Sequence, residues 1–123
     1  MRENNAVQGV IGRNEASLRA ARAYLYATAC EVWRDLTQRQ RVTDEHRMAL
    51  RLASTWTIHQ AASVVDAAYH MAGATAVFSA NKFERRFRDM HAIAQQIQAR
   101  DTHYEDVGRM ILAADPGATA NSA

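Results

Sequence analysis

Apolar side chains recur at Leu18, Ala21, Leu25, Ala29, Val32 and Leu36, the three-and-four spacing that lines up one stripe of a helix. The pattern predicts a long first helix from about Val7 to Gln40, with Gly9 and Gly12 as places where it could break. Thr43-Asp44-Glu45 then supplies an N-cap and two acidic residues in the first turn, which suit the positive end of a helix dipole. The helix that follows carries Met48, Leu52, Trp56, Val64, Ala68 and Ala72 on one stripe, with Ala61, Ala62 and Ala67 between them. That much Ala on both sides allows close neighbours, as for a helix in the middle of a bundle.

Gly73 marks the end of this second helix, at about Met71, and Gly73 to Asn81 reads as a loop. Asn81 is placed to cap a third helix from about Lys82 to Ala99, whose apolar positions are Phe83, Phe87, Met90, Ile93, Ala94 and Ile97. Asp101-Thr102 caps a last one, from about His103 to Ala114, before Pro116. The expectation is an all-α, up-and-down four-helix bundle over residues 1–115, with 116–123 as a flexible tail.

Composition narrows the function more than the fold. The chain has 123 residues, enough for one domain but small for a complete cofactor enzyme. Hydrophobic residues make up 48% and charged residues 23%, which fits a folded domain. The formal charge of +2 gives no basic stripe for nucleic acid, and no apolar run approaches the roughly 20 residues of a membrane span. Cys30 is the only cysteine, so neither a disulfide framework nor a thiolate zinc site is available. With no signal-peptide core after Met1, the cytoplasm is the default location.

Few residues suggest chemistry by themselves. A di-iron bundle needs Glu-x-x-His pairs, and no Glu here precedes a His by three. Asp66 and His70 share a helix face but leave a metal short of ligands, so no metal site is expected. They read as a surface contact, and His46, His59 and His103 are read the same way. Arg85, Arg86 and Arg88 point in different directions on a helix and are partly neutralised by Glu84 and Asp89. Cys30, with only Arg34 one turn on, reads as an inert core thiol.

Longer motifs carry a resemblance. The opening Val7-Gln8-x-x-Ile11-Gly12-Arg13-x-Glu15-Ala16-x-Leu18-x-Ala20-Ala21-Arg22-Ala23-Tyr24-Leu25 is followed in order by Ala61-Ala62-Ser63-Val64-Val65-Asp66 and Ala67-Ala68-Tyr69-His70-Met71-Ala72-Gly73-Ala74. Phe83 to Asp89 and Tyr104-Glu105-x-x-Gly108-Arg109-x-x-Leu112 complete the series. Together they resemble the C-terminal helical domain of the acyl-CoA dehydrogenase superfamily. The resemblance implies a flavoprotein whose N-terminal helical and middle β parts lie elsewhere, with flavin held between the β part and this bundle, and a homo-oligomer. Arg88-Asp89-Met90-His91-Ala92-Ile93-Ala94-Gln95-Gln96 is nearest the reduced-flavin-dependent monooxygenase branch.

In that branch a His, suited by a pKa near neutrality to take the substrate's proton, stands where this chain has Gln96. An amide can position a ligand but cannot act as the base. In the dehydrogenase branch one common position for the base carboxylate falls on Ile97, which cannot be a base. The resemblance further implies FMN or FAD contacts from Gly73, Thr75 and Arg88. On a continuous helix His91 would point roughly 140° away from Gln96, so His91 reads as structural, and Arg88-Asp89 as a helix-to-helix anchor. The leading expectation is the helical part of a flavin monooxygenase that needs a flavin-binding β partner for turnover. The alternative is a non-catalytic helical oligomerisation module derived from the same family.

Overall fold

The computed structural model describes residues 4–73, 82–115 and 117. It contains four α-helices, α1 (Asn5–Arg39), α2 (Asp44–Ala72), α3 (Lys82–Ala94) and α4 (Thr102–Ala114), with a 3-10 turn at Ile97–Ala99 and no strand among the described residues. The fold is all-α. Asn81, read as the cap of α3, lies outside the described residues, as does the tail 116–123 apart from Gly117.

α1 is unbroken through Gly9 and Gly12. Asn4 caps it, its side chain accepting from the amides of Ala6 and Val7. The helix stops at Gln40, which takes left-handed angles (φ 53°) and returns its N–H to the Leu36 carbonyl. Two residues of turn later Thr43 caps α2, and the cap is reciprocal. The His46 amide donates to the Thr43 hydroxyl, and the Thr43 amide donates to His46 Nδ1. A nitrogen that accepts this bond carries no proton, so the ring hydrogen is on Nε2, 3.3 Å from the Asp35 carboxylate of α1. The same cap holds the Glu45 carboxyl below its ordinary range, through its own backbone amide first and the Thr43 hydroxyl second.

α2 is the central element, with α1, α3, the 3-10 turn and α4 all packed against it. Its two sides are built differently. Towards α1 the seam is made of small and branched residues: Ala21, Val32 and Ala53 are buried, and so is Thr28. Thr57 donates to the Ala21 carbonyl across this seam. Towards the 3-10 turn and α4 the seam is polar, with Thr55 fully buried and Ala99 and Val107 beside it in the core.

The third helix departs from expectation. α3 ends at Ala94 rather than Ala99, and Gln96 is extended (φ −72°, ψ 157°) before the 3-10 turn. No Gly or Pro stands at this point. The break follows from tertiary contacts: α2 takes up the carbonyls of Gln98 and Ala99 with Thr55 and His59, and an α-helix through Ala99 would need different partners for that turn. Asp101 occupies the cap position of α4 but has helical angles and makes no side-chain cap bond, contrary to the sequence expectation.

Candidate functional site

The segment singled out by sequence lies on α3, opposite the last turns of α2. His91 Nε2 stands 2.8 Å from the Asp66 carboxylate. The His91 ring lies 4.3 Å from Phe87 of its own helix, and Phe87 lies 4.2 Å from Tyr69 of α2, so one polar and one aromatic contact join α2 to α3. His91 is therefore structural, as expected, and it is the helix-to-helix anchor. Arg88-Asp89 is not: Arg88 Nε pairs with Glu84 Oε1 of its own helix at 2.7 Å, and Asp89 is exposed. One turn of helix separates Glu84 from Arg88, so the pair forms locally and Arg88 stays on the surface. The other Glu84 oxygen is buried without a hydrogen-bond partner among the described residues. Asp66 and His70 do not form the expected side-chain contact either. His70 Nδ1 bonds the Asp66 carbonyl, and the carboxylate is turned to His91.

Of the three residues assigned to a cofactor, Gly73 and Arg88 are described, the one at the end of α2 and the other on α3. Arg88 is two-thirds exposed on α3. Gly73 ends α2 with φ 61° and ψ −145°, a conformation open to glycine, and a Cβ there would meet nothing within 4 Å. Thr75 lies outside the described residues. Gln96 is exposed and sits past the end of α3, so its relation to His91 is set by the irregular turn and not by helical phase.

A second constellation escaped the sequence reading. Thr55, with a single hydroxyl hydrogen, donates to the Gln98 carbonyl at 2.7 Å, so it accepts from His103 Nδ1 at 2.8 Å. His59 Nε2 likewise donates to the Ala99 carbonyl at 2.7 Å, which leaves Nδ1 to accept from the Tyr104 hydroxyl at 2.9 Å. Both tautomers are fixed by carbonyls that can only accept. The Tyr104 phenol is pushed above its usual range, by burial first and then by Asp101 and Tyr24. His46, His59 and His103 are thus internal fasteners, not surface contacts, and His46 is buried. The one available signal was Thr55 and His59, a polar pair one turn apart inside an Ala-rich helix.

Other candidates resolve simply. Cys30 is exposed, not in the core. No group of three potential metal ligands exists among the described residues, and no helix there is long and apolar enough to cross a membrane. An open apolar cleft of about 430 Å³ lies between α1 and α2, lined by Ala20, Tyr24, Leu52 and Trp56. Large apolar residues are exposed on every helix but α2, including Trp33 at 70%, Ile111 at 63% and Leu112 at 65%.

Three helices packed on a central α2, with an Arg-Asp-containing α3 clasped to it by His91, fit a C-terminal helical domain of the acyl-CoA dehydrogenase type. The chain belongs to that family: the model of the acyl-CoA dehydrogenase C-terminal domain matches residues 1–101. Among curated proteins it is similar to the indole-3-acetate monooxygenase of Pseudomonas putida, 27% identical over 106 residues, covering 86% of this chain and 27% of the relative. The indole-3-acetate monooxygenase of Acinetobacter baumannii is 26% identical over 102 residues, 83% of this chain and 26% of the relative. The chain therefore spans about a quarter of the length of the curated relatives it matches.

Proposed function

We propose that the chain supplies the helical C-terminal part of a reduced-flavin-dependent monooxygenase, with FMN or FAD held mainly by a β part outside this sequence. The observation that carries this reading is the pairing of wide coverage of this chain with narrow coverage of two relatives, both named as monooxygenases. The exposed apolar surfaces of α3, the 3-10 turn and α4, among them Phe83, Ile93, Ile97, Ile111 and Leu112, are what a domain made to be covered would present.

The residues present fit a flavin laid across a surface. Gly73 leaves room for close approach to backbone, and Arg88, two-thirds exposed, offers a guanidinium to a phosphate, although turning to it would leave the largely buried Glu84 carboxylate without its partner. When bound, the reduced flavin supplies the oxygen activation that no side chain here can provide. Gln96 orients a polar group of the substrate by hydrogen bonding without removing a proton from it, so turnover is slow unless another group takes that proton. The substrate is an aromatic acid of the kind named for the relatives, with indole-3-acetate the first to try. A homo-oligomer completes the assembly.

The test is a chimera in which this chain replaces the matching segment of the P. putida enzyme. Flavin binding with low indole-3-acetate oxidation is expected, rising by about two orders of magnitude in Gln96→His, the lower end of what a general base contributes. A folded, flavin-binding chimera that gains nothing from Gln96→His would overturn the assignment of that position. One that binds no flavin at all would favour the non-catalytic module, which the loss of the branch's His already suggests.

A further inference from the structure

A cleft of about 300 Å³ opens where the first half of α2 meets the 3-10 turn and the start of α4. Leu50, Arg51 and Ser54 line it from α2, Ile97 and Gln98 from the turn, and His103 from α4. Its walls are mostly apolar, with a few polar groups among them, the make-up of a site for a small molecule. None of these residues has a part in the flavin reading.

Each polar group has bonding capacity that the fold leaves unused. His103 Nδ1 gives its proton to Thr55, whose own hydrogen goes to the Gln98 carbonyl, so Nε2 of the neutral ring carries a lone pair and can only accept. Among the described residues no partner takes up that lone pair. The ring is held by a fully buried threonine, so the direction of Nε2 is fixed before a ligand arrives. Arg51 lies 3.8 Å from the Asp106 carboxylate, beyond hydrogen-bond reach, and Asp106 Oδ1 is taken by Arg109 at 3.2 Å. The Arg51 guanidinium therefore has donors to offer, and the carboxylate beside it is already compensated. Asp106 follows His103 by one helical turn, which sets the cation and the lone pair about 5 Å apart along α4.

We infer that this cleft binds a small aromatic acid: its carboxylate on Arg51, one flat ring between Leu50 and Ile97, and an O–H or N–H at the far end donating to His103 Nε2, with the Ser54 hydroxyl as a further partner. The ring would cover Ile97, which is 58% exposed. An acid without the donor leaves the Nε2 lone pair unpaired under the ring, and a neutral or cationic ligand forgoes the guanidinium. The volume lies at the small end for ligand sites and suits a single substituted ring, not a nucleotide. The site does not rest on the flavin reading, because it binds without oxidising and needs no flavin to do so. A ligand held there ties α2 to α4 and to the turn that directly follows Gln96.

Titration of the chain with 4-hydroxybenzoate at about pH 7.5, where imidazoles are mostly neutral, tests this by NMR. Saturable shifts at Leu50, Ile97 and His103 are expected, with a Kd of about 1 mM, in keeping with so small a ligand. Benzoate, which lacks the hydroxyl, should bind about fivefold more weakly, and 4-hydroxybenzamide, which lacks the charge, about tenfold. Arg51→Met keeps an apolar stem at a half-exposed position, so it should leave the helical circular dichroism unchanged and lose about tenfold in affinity for 4-hydroxybenzoate. His103→Asn keeps a donor for Thr55 and removes Nε2, so benzoate and 4-hydroxybenzoate should bind it alike. No saturable shift at about 20 mM, or shifts confined to Tyr24 and Trp56 in the cleft between α1 and α2, would overturn the site. Equal binding of the two acids to the unaltered chain would overturn the role of Nε2, and unchanged affinity in Arg51→Met that of the guanidinium.

Discussion

The two sides of α2 hold their neighbours by different means. Against α1, over most of its length, contact is between side chains small enough for close helix approach, with the Thr57 hydroxyl and His46 as the polar additions. Against the 3-10 turn and α4, Thr55, His59, His103 and Tyr104 form hydrogen bonds, two of them to carbonyls that the irregular backbone leaves free. The difference follows from length. α1 has 35 residues and can rely on accumulated packing, whereas α4 has 13 and depends on directed bonds to fix its place.

Thr55→Val is the most severe way to break the polar side, since it keeps the shape but leaves the Gln98 carbonyl and the His103 N–H unpaired beside a fully buried position. A loss of about 3 kcal/mol is expected by urea denaturation. On the other side, Ala53→Leu at a fully buried Ala on the His46 and Thr57 face of α2 should cost about 2 kcal/mol by overpacking. If Ala53→Leu proves the worse of the two, the packing of α1 and not the bonds of α4 limits stability.

Removing the cap with Thr43→Ala should cost about 1 kcal/mol in the same measurement. Tyr104→Phe sharpens the comparison through pH. The folded state holds the Tyr104 proton above the pH near 10 at which the unfolded phenol releases it, so stability falls as pH rises through and beyond 10. In Tyr104→Phe that part of the alkaline loss disappears, as a series of thermal melts between pH 8 and 11 will show. The smallest effect belongs to Trp33→Ser, where unfolding of the monomer should change by less than about 0.5 kcal/mol.

Much of the fold was legible because its signals are local. Thr43 followed by two acids gave the start of α2, Gly73 its end, and the Ala-rich run its central place. The end of α3 was not legible, because nothing in Gln95-Gln96-Ile97 breaks a helix and the break is made by Thr55 and His59 from another element. The candidate site was partly readable. His91 does make an interhelical contact, but its partner Asp66 is 25 positions away, whereas periodicity pairs that carboxylate with His70. Arg88-Asp89 reads as an interhelical anchor because buried charge is kept only when paired, whereas Glu84 one turn back offers Arg88 a nearer partner and leaves it on the surface.

The sequence by itself determined the fold class and the family, since these rest on residue identity at fixed spacing along one chain. Only the tertiary structure decided that Gln96 has left the helix, that His59 and His103 hold fixed tautomers, and that α1 keeps an apolar side outward. Each of those depends on which distant carbonyl, carboxylate or helix face meets the residue, and hydrogen bonds and burial are settled between elements, not within them.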